Sequence, residues 1–181
     1  IEVGHYTDVS NATGCTVVLA RNGAIGGVDV RGSSPGTRET DLLNSENSVD
    51  TIQGLVLSGG SAYGLATADG VMKYLEEREI GHRVGDIIVP IVPAAILFDL
   101  GLVTSEVRPG PSESYYAASI AKTGSIEQGS VGAGTGAVVG KALGRDNGMK
   151  GGIGTASVNL GDEVIVSALV AVNAIGSIVD P

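Results

Sequence analysis

The residues of this chain that could do chemistry are few. The segment Gly59-Gly60-Ser61-Ala62-Tyr63 departs from the G-x-S-x-G pattern of a nucleophilic serine at its last position. A serine-histidine-acid site would also have to recruit His5 or His82, and neither lies in a suggestive setting. Ser61 is therefore predicted to cap a helix rather than to attack a substrate. Cys15 lies within an apolar run, which predicts a buried and inert thiol.

A glycine-rich loop at residues 132–137 fits the loose form of a dinucleotide-binding motif. That motif requires a strand before the glycines, a helix after them and an acidic residue about twenty positions later. Here another strand-like run follows at residues 137–139. A phosphate-binding P-loop is also disfavoured, because Gly140-Lys141 is followed by Ala142 instead of Ser or Thr. Nucleotide binding stays an alternative that rests on this loop.

The composition argues against several classes of protein. The formal charge is −9 and no stripe of basic residues is visible, so nucleic acid is not an expected partner. One cysteine and two histidines cannot by themselves form a zinc cluster, and nothing in the sequence requires a metal or an organic cofactor. The most apolar stretch, residues 84–103, is interrupted by Asp86, Pro90, Pro93 and Asp99, so we expect no membrane span. The single cysteine fits a reducing, cytoplasmic compartment.

The length of 181 residues predicts one domain over residues 1–181, and the spacing of apolar residues predicts short strands and two helices within it. An Arg-Asn-Gly turn signal at residues 21–23 predicts a hairpin between its flanking strands. The last strand is apolar along nearly its whole length, which predicts cover on both of its faces. The predicted helices span residues 61–78 and 112–122, and the main predicted strands span residues 15–20, 25–30, 54–57, 131–139, 153–158 and 164–172. Residues 87–100 are predicted as a strand that is broken at Pro90 and Pro93 and ends in a helical turn.

Several segments together resemble the L-aminopeptidase/D-esterase family, which includes β-aminopeptidases and hydrolases of 6-aminohexanoate (nylon) oligomers. The similarity runs in order along essentially the whole chain. The segments are GCTVVLA from Gly14, GVDVRGSSPGTRETDLL from Gly27, LSGGSAYGLATADGVMKYLEE from Leu57, VPIVPAAILFDL from Val89, GSVGAGTGAVVGK from Gly129, MKGGIGTASV from Met149 and ALVAVNAIG from Ala168.

This resemblance implies an α+β fold, a four-layer α/β/β/α sandwich related to that of the ornithine acetyltransferases. Members are made as precursors that cut themselves before a Ser or Thr, which becomes the N-terminal nucleophile of a smaller (β) chain. We therefore expect this chain to cover most of the large (α) subunit of an amide hydrolase and to form homo-oligomers of the two-chain unit. Short peptides, β-peptides, amino-acid amides or ω-amino-acid oligomers are the implied substrates. An N-terminal amine can act as the base for its own hydroxyl, which would explain a hydrolase that is poor in histidine.

The resemblance also implies roles for four residues. Asn173 matches an asparagine whose side-chain amide serves the oxyanion. Lys141 matches a lysine near the nucleophile, where an ammonium can lower the pKa of the amine or hydroxyl. Phe98 stands where characterised members carry a Tyr, so the phenol hydrogen bond is lost. Tyr63 is a candidate for the substrate pocket, with a packing role as its alternative.

Two further hypotheses differ in class from the hydrolase. An acyltransferase of the ornithine acetyltransferase type would share the covalent acyl-enzyme and pass the acyl group to an amine. A non-enzymatic nucleotide- or partner-binding domain would use the glycine-rich loop and the acidic surface.

Overall fold

A mixed five-stranded sheet forms the centre of the chain, for which a computed structural model describes residues 1–179. The strand order is β1-β2-β4-β7-β3, and every neighbouring pair is antiparallel except β4 and β7. Three two-stranded sheets accompany it: β5-β6, β8-β9 and β10-β11. In chain order the elements are β1 (Glu2–Asp8), β2 (Thr13–Ile25), β3 (Thr37–Arg38), β4 (Thr51–Ser58), α1 (Thr67–Glu76), β5 (His82–Val84), β6 (Ile87–Val89), β7 (Ala94–Ile96), α2 (Pro111–Ser119), β8 (Val138–Val139), β9 (Met149–Lys150), β10 (Gly152–Asn159) and β11 (Ile165–Val172), with short 3-10 helices at Asp41–Leu43, Ser61–Ala66, Gly132–Gly134, Lys141–Leu143 and Arg145–Asn147.

The predicted hairpin at residues 21–23 is wrong. Strand β2 continues through these residues to Ile25, and residues 26–30 are not a strand. The pairing of β2 with β4 shifts register between Leu19 and Ala24, and Gly23 takes a φ of +81° there. Glycine adopts positive φ without strain. The Arg-Asn-Gly segment therefore forms an irregularity within strand β2 and does not reverse the chain.

Helices α1 and α2 cover one face of the central sheet. The alternating residues Cys15, Val17 and Leu19 of β2 are fully buried against them, as the period of two in a strand requires. Helix α1 contributes Val71 and Leu75 to the same cluster. The helix predicted over residues 61–78 begins as a 3-10 turn whose cap is Gly60, so the prediction that Ser61 is the cap is wrong.

The opposite face of the sheet lies against the glycine-rich loop. Residues 132–134 form a 3-10 turn followed by β8, so the strand predicted over residues 131–139 is largely wrong. The backbone N–H of Gly132 donates to Thr7 Oγ1 at 2.9 Å, and that of Ala133 donates to Thr16 Oγ1 at 3.0 Å. Glycine permits the approach, because a Cβ at position 132 would overlap the side chains of Thr16 and His5.

Strands β10 and β11 form an antiparallel hairpin over the two segments that the sequence predicted as strands. Its side chains are largely exposed: Val158 and its cross-strand partner Val166 are 54% and 53% accessible. The described part of this chain therefore does not supply the cover that the apolar pattern of β11 requires.

Candidate functional site

An open pocket of about 530 Å³ lies where three separate segments meet. The first segment follows β7, the second includes the 3-10 turns after β8, and the third follows β11. Most lining side chains are apolar, and the charged ones are Asp99, Lys141 and Arg145. The lining residues are Phe98, Asp99, Leu100, Leu102, Gly136, Val138, Lys141, Ala142, Gly144, Arg145, Asn173 and Ile175.

Asn173 is held in one orientation at the end of β11. Its Oδ1 accepts hydrogen bonds from the backbone N–H of Val138 at 2.9 Å and from Lys141 Nζ at 2.8 Å. Both partners can only donate, so the amide oxygen must face them. The amide nitrogen donates to the carbonyl oxygen of Phe98 at 3.0 Å. An amide nitrogen carries two hydrogens, so one remains for a further acceptor at the pocket.

Lys141 bridges two oxygens of Asn173 without a carboxylate partner among the described residues. Its Nζ donates to the backbone carbonyl of Asn173 at 2.9 Å as well as to Oδ1. Gly140, with a φ of +73°, precedes it and begins the turn that carries it. Burial lowers the pKa of the Lys141 ammonium, and the nearby Arg145 guanidinium lowers this pKa further. The third hydrogen of the ammonium is free to meet developing negative charge.

Phe98 and Asp99 form adjacent parts of the pocket wall. The Phe98 ring is 50% exposed, and the Arg145 guanidinium carbon lies 5.2 Å from its centroid. Asp99 is buried; its Oδ1 accepts from the N–H of Gly60 and its Oδ2 from Thr13 Oγ1, both at 2.7 Å. Asp99 was missed as a site residue, although an acid inside an otherwise apolar run is a signal for a buried, hydrogen-bonded carboxylate.

Tyr63 does not line this pocket. It lies in the 3-10 turn after Gly60 and is 61% exposed, and the Arg108 guanidinium carbon stacks 3.9 Å from its ring centroid. The structure thus brings together three of the four predicted residues, Phe98, Lys141 and Asn173. A contact between Tyr63 and substrate stays a prediction.

The sequence pattern of Peptidase family S58 matches residues 1–179. The chain belongs to this peptidase family. The family assignment confirms the resemblance to aminopeptidases and nylon-oligomer hydrolases that the segments predicted.

Relatives of this S58 chain include both kinds of protein. The chain is 46% identical over 189 residues to an uncharacterized aminopeptidase of Mycobacterium bovis. This alignment covers 100% of the chain and 53% of that protein. It is 33% identical over 180 residues to a 6-aminohexanoate-oligomer endohydrolase of Paenarthrobacter ureafaciens, covering 99% of this chain and 47% of that protein. The S58 chain therefore spans about half the length of these relatives.

A solved structure agrees with the fold. The L-aminopeptidase D-Ala-esterase/amidase of Ochrobactrum anthropi, described as a variant of the Ntn hydrolase fold, matches with a TM-score of 0.71 at 19% identity. The match covers 95% of this chain and 50% of that structure. This S58 chain therefore shares the fold of about half of that structure.

The glycine-rich loop of the S58 chain is not arranged to hold a phosphate. The amides of Gly132 and Ala133 donate to threonine hydroxyls, so they are not available to an anion. Lys150 Nζ donates to the carbonyls of Thr135 and Ala137 and fixes the loop from its other side. The nucleotide-binding alternative thus loses the motif on which it rested.

Residues 1–179 contain neither a cluster of metal ligands nor a helix suited to span a membrane. No group of three His, Cys, Asp or Glu side chains in this part of the chain is placed to hold a metal ion. None of the helices in the same residues is both long and apolar enough to cross a membrane.

Proposed function

We propose that this chain is the larger part of a self-processed amide hydrolase whose nucleophile is the N-terminal Ser or Thr of a smaller chain from the same precursor. Membership of a peptidase family and the match to about half of each relative support this division. The histidine-poor composition fits it too, because an N-terminal α-amine can accept the proton of its own hydroxyl. The relatives' names suggest linear amides as substrates, from short peptides to ω-amino-acid oligomers.

The fixed amide of Asn173 is the observation that carries the proposal. When a hydroxyl attacks an amide carbonyl, the carbonyl oxygen becomes an oxyanion that needs donors already in place. Two donors hold the Asn173 oxygen away, so its nitrogen presents a free N–H without reorganisation. We assign Asn173 as an oxyanion donor, a role whose loss typically reduces turnover by about 10²–10³ fold.

Lys141 would act beside Asn173. Its ammonium already fixes the asparagine, and its remaining hydrogen can bind developing negative charge or lower the pKa of the attacking amine and hydroxyl. Phe98 would supply an apolar wall and, through its carbonyl, the second restraint on the asparagine amide.

The smaller chain would complete the fold as well as the site. A four-layer α/β/β/α sandwich needs a second full sheet and a second helix layer. The β10-β11 hairpin, whose valines are exposed, would be two strands of that second sheet. Homo-oligomers of the completed two-chain unit are part of the proposal.

Denaturing mass analysis of the full gene product tests the division into two chains. We expect two polypeptides, the smaller beginning with Ser or Thr. A single uncut polypeptide that still hydrolyses amides would contradict the mechanism.

The Asn173→Ala variant tests the site within the processed protein. We expect kcat to fall by about 10²–10³ fold, an effect far larger than the accompanying loss of stability, which the unfolding midpoint measures. Asn22→Ala, an exposed asparagine on β2, is the matched control and should retain full activity. Unchanged turnover in Asn173→Ala would remove this residue from the site.

A further inference from the structure

Two cationic side chains, Lys141 and Arg145, border the proposed active-site pocket. The proposed mechanism gives a role to Lys141 only. Lys141 is committed to Asn173. Arg145 lies at the pocket in the next 3-10 turn, where one of its nitrogens donates to the carbonyl of Leu100 at 3.0 Å. A guanidinium has five N–H donors, so most of the fork is left for another acceptor.

Arg145 is positioned rather than loose. Its guanidinium carbon lies 5.2 Å from the Phe98 ring centroid, and the backbone of Gly101 passes so close that an added Cβ would lie 3.0 Å from a guanidinium nitrogen. The Phe98 ring and the carbonyl of Leu100 restrain the exposed guanidinium beside the pocket. A guanidinium held in this way is suited to a planar carboxylate, which it can bind through two parallel hydrogen bonds.

The described residues of the pocket offer no carboxylate to a substrate ammonium. Asp99 is the one acid among the lining residues from 1–179, and both of its oxygens already accept short hydrogen bonds from Thr13 and Gly60. Asp146 follows Arg145 in the chain, but it neither lines the pocket nor pairs with Arg145 in this part of the structure. The charge that the described residues contribute to this pocket therefore favours an anion over a cation.

We infer that Arg145 is a specificity-determining residue that selects amide substrates bearing a carboxylate on an apolar arm and disfavours those with a free ammonium on that arm. The inference rests on the proposed function, because the pocket must be the place where the amide is cleaved. The apolar wall, which includes Leu100, Leu102 and Ile175, would hold the methylene arm while Arg145 binds its end.

Matched substrates of the processed full-length protein test this inference. The first series consists of p-nitroanilides of adipic acid (one free carboxylate), hexanoic acid (neutral) and 6-aminohexanoic acid (ammonium). The second series places the same three end groups on the amine side of a hexanoyl amide, which shows on which side of the scissile bond the arm binds. Each substrate is compared in the wild-type protein, in Arg145→Gln and in Arg145→Lys.

We expect kcat/KM in one series to rank carboxylate above neutral above ammonium, with a carboxylate advantage of at least about tenfold for a charge-assisted bidentate pair. Arg145→Gln should abolish that advantage, measured within the variant as the ratio of kcat/KM for the carboxylate substrate to kcat/KM for the neutral substrate. Arg145→Lys should retain part of it, because the charge stays and the fork is lost. Arg83→Gln, a change at an exposed arginine on β5, should alter none of these values.

Equal rates for the three end groups in both series, or a preference for ammonium, would overturn the inference. A carboxylate advantage that survives in Arg145→Gln would also overturn it. Calorimetric binding of adipic acid monoamide, hexanamide and 6-aminohexanamide to the wild-type protein separates this failure from that of the proposed function. If no anilide is cleaved but the monoamide of adipic acid binds the wild-type protein at least about tenfold more tightly than the other two amides, and Arg145→Gln loses this difference, then carboxylate selection by Arg145 is retained and the proposed hydrolysis is what fails.

Discussion

Asp99 and Lys141 are charged side chains on one pocket, and their hydrogen bonds give them different tasks. Both oxygens of the Asp99 carboxylate are used inside the protein, where they join the start of β2, the end of β4 and the segment after β7. The Lys141 ammonium has neutral oxygen partners and a hydrogen to spare. Burial thus makes Asp99 a structural anchor and leaves Lys141 as a group that can act on substrate.

Asp99→Ala should lower the free energy of unfolding by about 2–6 kcal/mol. The truncation leaves two buried donors, the Gly60 N–H and the Thr13 hydroxyl, without partners, and each such loss costs about 1–3 kcal/mol. Denaturant unfolding of the processed protein measures the change. Asp29→Ala is the control, since Asp29 forms an exposed ion pair with Arg31 of a kind that contributes little; equal losses in both variants would contradict the anchoring role.

The pH dependence of kcat/KM tests Lys141. Burial and Arg145 lower the pKa of Lys141, so its ammonium is lost at a lower pH than that of an ordinary lysine. If the ammonium is the working form, activity should fall as pH rises through this lowered pKa, and Lys141→Arg should move the alkaline limb to higher pH because arginine stays charged. Lys122→Arg, at an exposed position, should not move the limb, and an unmoved limb in Lys141→Arg would show that another group sets it.

At the scale of elements, the two helices depend on one close crossing. A Cβ at Gly70 of α1 would overlap the carbonyl oxygen of Pro111 and the hydroxyl of Ser114 at the start of α2. The Ser114 hydroxyl donates to the carbonyl of Thr67 across the same crossing. Glycine is unfavourable within a helix by itself, so its presence in α1 reflects the neighbouring helix and not local propensity.

Gly70→Ala should therefore destabilise the protein, although the same change at an exposed helix position would stabilise it by about 1 kcal/mol. We expect a loss of about 1–3 kcal/mol from overpacking, measured as a lower unfolding midpoint. Gly27→Ala is the control, because nothing lies within 4 Å of a Cβ added there. A stabilised Gly70→Ala variant would show that the helices can move apart at little cost.

For the molecule as a whole, the β10-β11 hairpin is an apolar surface that the described residues leave uncovered. Val158 and Val166 are directly opposed across the hairpin, and both are more than half exposed. Such paired apolar side chains are costly in water. We propose that the smaller chain covers them, so the hairpin connects folding of this chain to assembly.

Val166→Asp should weaken the association of the two chains in the full-length processed protein. A carboxylate buried in an apolar interface without a partner is strongly unfavourable, so the small chain should separate from the large one during size-exclusion chromatography in mild denaturant. Val84→Asp is the matched control, because Val84 lies on the separate β5-β6 hairpin and is comparably exposed at 59%. Identical elution of both variants would place the small chain elsewhere.

The sequence by itself determined those features that depend on local pattern. The periodicity of apolar residues predicted α1, α2 and the strands of the β10-β11 hairpin, because the side-chain period of a helix or strand is visible within a short stretch of sequence. The same local information failed at residues 21–23, where a turn signal lies inside β2, and at residues 131–139, where glycines serve close packing instead of a strand. In both places a neighbouring segment that is distant in sequence decided the backbone conformation.

Only the tertiary structure decided which of the candidate residues meet. Phe98, Lys141 and Asn173 come from segments dozens of residues apart and share one pocket, whereas Tyr63 turns toward Arg108. The spacing of residues along the chain cannot predict which side chains share a pocket, because this depends on the order of the strands and on the paths of the loops. Asp99 and Arg145 gained their significance in the same way: one carboxylate is fully used and one guanidinium is largely free, and this difference exists only once the chain is folded.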